Sequence, residues 1–225
     1  MYSLLGDHIS GMEIGEPITA STYISPSTER VLLRLSDHII MTDEQLRHTC
    51  WGTGNRDAKK RLRRWSEQSL LQRYELKGEN KTITAYTLGA TGCQIVKRGV
   101  PEFNLQKAAE LIAFNQFYMA YRNEVQDYQA WVGNDLLIGQ IKIKNKYYSV
   151  WCPRQEDLRV QSLKSEVALG NGLLVIAATM PLLYWCTEVL KPLPVEQLFT
   201  VDALIGVKNR IVMQMEDDLL TQIEF

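Results

Sequence analysis

The sequence predicts a mixed α+β chain in two parts, and three observations carry that reading. A strongly basic helix, NRDAKKRLRRWSEQ over residues 55–68, follows two shorter amphipathic segments. A pair of strands with a polar tip comes directly after it. From residue 128 onward, apolar and aromatic strands alternate with short polar or helical segments, the pattern of a small α/β unit. At 225 residues, the chain has room for one large domain or two small ones.

Residues 1–26 hold Gly6, Gly11, Gly15, Pro17 and Pro26 and read as an irregular arm. Ser27 or Thr28 is placed to cap a helix running to about Ile40, with Val31, Leu32, Leu35 and Ile39 inward. Thr42 followed by Gln45 is a capping-box pair, which starts a second helix ending near Trp51. Asn55 is expected to cap the basic helix. Its Ala58, Leu62 and Trp65 recur at i, i+4, i+7 and form an apolar stripe, while its cations point elsewhere. Residues 70–76 and 82–88 form a hairpin around a charged tip, and a helix is expected from Ala90 to Arg98.

Helix, helix, basic helix, hairpin, helix is the order of a winged helix-turn-helix, predicted over residues 27–100. The segment LGATG (residues 88–92) is similar to the Leu-Thr-x-x-Gly that follows the wing in many such regulators, with Gly89 where Thr is usual. Residues 101–127 are expected to be a linker or dimerisation helix, and residues 128–225 a small α/β domain that is not catalytic. Within that domain, strands are expected at 128–132, 136–143, 147–152, 173–178 and 199–201. Helices are expected at 155–169, at 182–190 and at the acidic C-terminal end.

Charge follows the same division. Residues 1–100 carry 14 basic and 11 acidic side chains, and the remainder 11 and 15. A basic first part beside a mildly acidic second part fits a binding domain joined to a different one. Cys50, Cys93, Cys152 and Cys186 show no C-x-x-C pair, so buried thiols are expected rather than disulfides or zinc, and no cofactor is implied. The longest apolar run, residues 173–185, is too short to span a bilayer and contains Pro181. The expected setting is cytoplasmic, with no membrane partner.

The expected partner is double-stranded DNA. Asn55, Arg56, Lys59 and Lys60 would lie nearest the bases, since Asn suits adenine and Arg suits guanine. Arg61, Arg63 and Arg64 would meet phosphates, and Lys77 and Lys81 flank the tip of the hairpin. One such unit reads few base pairs, so a homodimer on an inverted repeat is expected. A winged helix turned to protein contacts is the rival reading of the same residues.

The chain as a whole, over roughly residues 28–205, resembles the replication-relaxation family of plasmid and mobile-element proteins. That resemblance implies a second domain similar to restriction endonucleases, a role in transcription, replication or transfer, and a replication or transfer protein as a further partner. It also implies a test. In the nuclease core, an Asp on one strand and an acidic-x-Lys group on the next gather a divalent metal. Asp135 stands at the first position, but residues 146–154, KYYSVWCPR, contain no acid. Glu156 and Asp157 come after Pro153, and Lys164 comes later still. A metal-dependent nuclease built on Asp135 is therefore the disfavoured alternative, and a catalytically silent version of the fold is expected.

Overall fold

The computed structural model describes residues 24–51, 57–77, 82–133, 136–167, 171–205, 210–216 and 219–223. It is a mixed α+β fold with two sheets. The first helix, α1, spans Pro26–His38, and its cap is Ser25 rather than the expected Ser27 or Thr28. Pro26 explains the shift: it has no N–H to satisfy, and its fixed φ suits the first helical position. Val31, Leu32 and Leu35 are buried as expected. The helix stops at His38 because Ile39 turns to φ 66° and ψ −58°. Strand β1 (Ile40–Thr42) leads into α2 (Asp43–Cys50). The capping box is present: Gln45 N–H donates to Thr42 Oγ1 at 3.1 Å, and Thr42 N–H donates to Gln45 Oε1 at 3.0 Å.

Helix α3 (Ala58–Glu67) buries Ala58, Leu62 and Trp65, the stripe read from its sequence. Strands β2 (Leu71–Lys77) and β3 (Thr82–Leu88) pair as an antiparallel hairpin, and β1 adds to β3, giving the order β1-β3-β2. Helix α4 (Ala90–Val96) returns beneath them. Gly89 and Gly92 are required there: a Cβ on either would run into the carbonyl oxygen of Ser69 or Leu70.

Helix α5 (Leu105–Ala120) is the pivot of the chain. It packs against β1 of the first sheet and against Val125–Ala130, the first strand of the second. Leu111, Phe114 and Phe117 are fully buried in a core that also takes in Ile40 and Ala85 from the first sheet. The second sheet collects β4 (Val125–Ala130), β5 (Leu137–Ile143), β6 (Lys146–Trp151), β7 (Gly172–Ala177), β8 (Gln197–Val201), β9 (Val212–Glu216) and β10 (Leu219–Ile223). Its order is β10-β9-β8-β7-β6-β5-β4, with β6, β7 and β8 parallel. Both faces are covered, so β7 is apolar throughout: Leu174 and Ile176 face the α5 side, and Leu173 and Val175 face α7 (Met180–Leu190).

Two expectations fail here. In the segment expected to be helical over 155–169, described as far as residue 167, there is a 3₁₀ turn (Leu158–Ser162) and a single helical turn, α6 (Leu163–Glu166), not a full helix. The described C-terminal residues are the antiparallel strands β9 and β10, not a helix. Strand β9 pairs with the side of β8 that β7 leaves free, setting Gln214 against Leu198 and Met213 against Phe199. Tertiary pairing outweighs the weak local preference of that segment. Two aromatic residues of β6 pack on opposite faces of the sheet: Trp151 lies near Trp185 on the α7 side, whereas Tyr148 is on the α5 side. All four cysteines are buried, and burial raises the Cys50 thiol to about 11 and the Cys186 thiol to about 12. No described helix is long and apolar enough to cross a membrane.

Candidate nucleic-acid interface

Helix α3 stands against the first sheet by its buried stripe, and Trp65 stacks on Trp51 with ring centroids 5.9 Å apart. This anchoring fixes which side chains face outward. Lys59, Lys60, Arg63 and Arg64 are exposed, and Arg61 is half-buried. Lys77 is exposed at the end of β2, opposite Thr82. Asn55, Arg56 and Lys81, also expected to meet DNA, lie outside the described residues, as does Asp135.

The cations of α3 fall on two flanks. On the flank toward α2, acids hold them. Lys59 Nζ is 3.4 Å from Asp43, which also lies 3.8 Å from Arg47, and Arg63 Nε is 3.2 Å from Glu67. On the other flank, Asp57, Lys60, Arg61 and Arg64 follow at i, i+3, i+4, i+7 and so share one stripe. This stripe borders a hollow of about 490 Å³ whose far side is Ser25 and Ser27. Among the described residues, Lys60, Arg61 and Arg64 have no ion-pair partner. The sequence groups Arg61 with Arg63 and Arg64 as phosphate contacts, whereas the structure sets Arg61 and Arg64 on the flank opposite Arg63 and brings in Ser25 and Ser27. The 57-60-61-64 spacing was the signal for Arg61, whereas the serines arrive only through the tertiary fold.

Exposed ion pairs such as Lys59–Asp43 contribute roughly 0–1 kcal/mol, so a phosphate can replace the acid. The α3 surface can therefore present five cations to a polyanion, three of them without first giving up a partner.

The carboxyl ends of the parallel strands β6, β7 and β8 are where open α/β sheets bind ligands. Here Arg154 occupies that edge. Its guanidinium donates to the carbonyls of Cys152 (3.2 Å) and Ile176 (2.6 Å) and pairs with Asp202 at 2.6 Å. Burial raises the Asp202 carboxyl above its usual range, and Arg154 opposes that shift. Nearby acids are engaged as well: Asp157 caps the 3₁₀ turn and grips Arg159, which lowers its pKa, and Glu110 lies 2.9 Å from Lys107. Among the described residues, no group of three His, Cys, Asp or Glu side chains is placed to hold a metal ion.

Among solved structures, protein VC1899 from Vibrio cholerae is similar over 80% of this chain and 54% of its own, with 12% identity and a TM-score of 0.34. The chain thus spans about half the length of that protein. No family model and no curated protein matches it.

Proposed function

We propose that the chain is a sequence-specific DNA-binding protein of a plasmid or other mobile element, regulating transcription, replication or transfer. In this reading, α1 to β3 form a winged helix, α3 enters the major groove, and the β2–β3 hairpin is the wing. The order α1-β1-α2-α3-β2-β3 with a β1-β3-β2 sheet supports it. The observation that carries it is the division of α3: one stripe buried to 4% exposure or less, and the rest of the surface presenting five cations. Recognition helices need that division, because one face must pack while the other meets phosphates and base edges.

The second unit is proposed to be a silent version of a restriction-endonuclease-like fold, supporting the DNA-binding unit rather than cutting DNA. Arg154 at the carboxyl edge of β6–β8 and the engagement of the neighbouring acids favour that reading. A homodimer on an inverted repeat is part of the proposal.

Fluorescence anisotropy with duplexes from around the protein's own gene and with random duplex, across a salt series, tests it. One fragment should stay bound at physiological salt while random DNA is released. Equal, salt-labile binding to both would reject sequence-specific recognition.

A further inference from the structure

The two flanks of α3 differ in a way that bears on where a nucleic-acid backbone would run. Lys59 and Arg63 face acids, Asp43 and Glu67, that repel phosphate as well as hold the cations. Lys60, Arg61 and Arg64 instead line the open hollow of about 490 Å³ that Ser25 and Ser27 border on its other side. Three positive charges there stand against one negative, Asp57 at the rim. Trp65, itself buried, also lines the hollow, so its α3 side is anchored to the core.

Ser25 is spent on capping α1, so Ser27 is the serine whose hydroxyl has hydrogen-bonding capacity left toward the hollow. Ser25 Oγ lies 2.9 Å from Ser27 Oγ and 2.8 Å from Thr28 Oγ1, and it accepts from Thr28 N–H at 3.2 Å. The space is wide enough for a tetrahedral anion and part of its water shell. Arginine's fork binds two phosphate oxygens at once, which a lone lysine cannot do, and two arginines line this hollow.

The geometry points to this hollow as a phosphate seat, occupied by a backbone phosphate of duplex DNA. The inference rests on the DNA-binding reading and adds to it a direction. The duplex leaves α3 on the side of Lys60, Arg61 and Arg64 and passes over the start of α1, while the Asp43 flank contributes little to backbone binding.

The test compares two variants of the full chain that each lose two cations from α3: Arg61→Ala/Arg64→Ala and Lys59→Ala/Arg63→Ala. Binding to random duplex is measured by anisotropy over a salt series, with circular dichroism to confirm the fold. Arg61→Ala/Arg64→Ala should weaken binding about tenfold or more and lower the salt slope by up to about two, and the other pair should lower it by less than one. Equal losses from the two pairs, or a larger loss from Lys59→Ala/Arg63→Ala, would overturn the seat while leaving DNA binding intact. If the wild-type chain binds no duplex at any salt, the DNA-binding reading falls instead. Inorganic phosphate then separates the sources. Thermal stabilisation by phosphate over chloride of equal ionic strength, lost in Arg61→Ala/Arg64→Ala while that variant still binds duplex like the wild type, would assign the hollow to a free phosphate and overturn the backbone assignment.

Discussion

Asn115 on α5 locks onto His38 at the end of α1, with its Oδ1 2.9 Å from His38 Nδ1. Its Nδ2 donates to the carbonyls of both His38 and Ile40, which can only accept, so the amide's orientation is decided. Oδ1 must then meet donors. Tyr128 O–H is one, and His38 Nδ1–H is the other, which places a proton on Nδ1; with burial lowering its pKa to about 4, the imidazole is neutral at pH 7 and carries that proton alone. Between the two gripped carbonyls lies Ile39 at φ 66° and ψ −58°, a strained conformation for a β-branched residue. One side chain of α5 thus holds the strained turn between α1 and β1.

Asn115→Ala should therefore destabilise the chain by about 2–4 kcal/mol, since it leaves two carbonyls, a phenol and an imidazole without their buried partner. Asn115→Asp should be no better, because a carboxylate cannot donate to the carbonyls. Urea unfolding followed by tryptophan fluorescence checks both. A cost below about 0.5 kcal/mol for Asn115→Ala, the range of an ordinary surface change, would mean the junction is held elsewhere.

Acid should act on the same junction. Burial, opposed by the bond to Asn115, lowers the His38 pKa from 6.5 to about 4. The unfolded chain therefore binds the proton more readily than the folded one. The neutral-histidine contribution is intact above pH 6.5 and is lost as pH falls toward 4, by about 3 kcal/mol at most. His38→Gln, which keeps a donor but does not titrate, should show a correspondingly flatter loss between pH 7 and pH 4 in parallel urea titrations. Identical pH profiles for the two proteins would contradict this.

Asp43 restrains the basic surface. Asp43→Asn releases Lys59 and Arg47, so affinity for random duplex should rise a few-fold and the salt slope by up to about one. Anisotropy on random duplex measures it, and unchanged affinity would show that the pair does not compete with phosphate.

Leu62 joins the basic surface to the core, being fully buried beneath α3. Leu62→Ala should cost about 2–5 kcal/mol and weaken DNA binding through the loss of a fixed helix. Hydrogen exchange should report that loss as faster exchange confined first to α3 and its neighbours, and uniform protection across the chain would argue against it.

Local signals were legible in the sequence wherever one segment decides its own state. The stripe Ala58, Leu62, Trp65 and the pair Thr42–Gln45 were readable because period and capping act within a few residues. The β2–β3 hairpin was readable from its alternation and polar tip. What escaped depends on partners far along the chain. Among the last described residues, β9 pairs with the side of β8 that β7 leaves free, and Gln45 reaches past its capping role to the Ile112 carbonyl at 2.9 Å. The Asn115 junction joins residues 77 positions apart, and no local pattern announces it. Of the candidate interface, the cations were visible, but their partition between Asp43 and the Ser25–Ser27 hollow required the packed fold.

Binding of an own-gene duplex at physiological salt, by the wild-type chain and by Lys60→Glu/Arg64→Glu, bears most directly on the central claim that α3 meets DNA. The wild type should hold the fragment while releasing random duplex, and the variant, with its buried stripe untouched and its fold verified by circular dichroism, should release both. Equal retention by the two proteins, or no discrimination by the wild type, would contradict the claim.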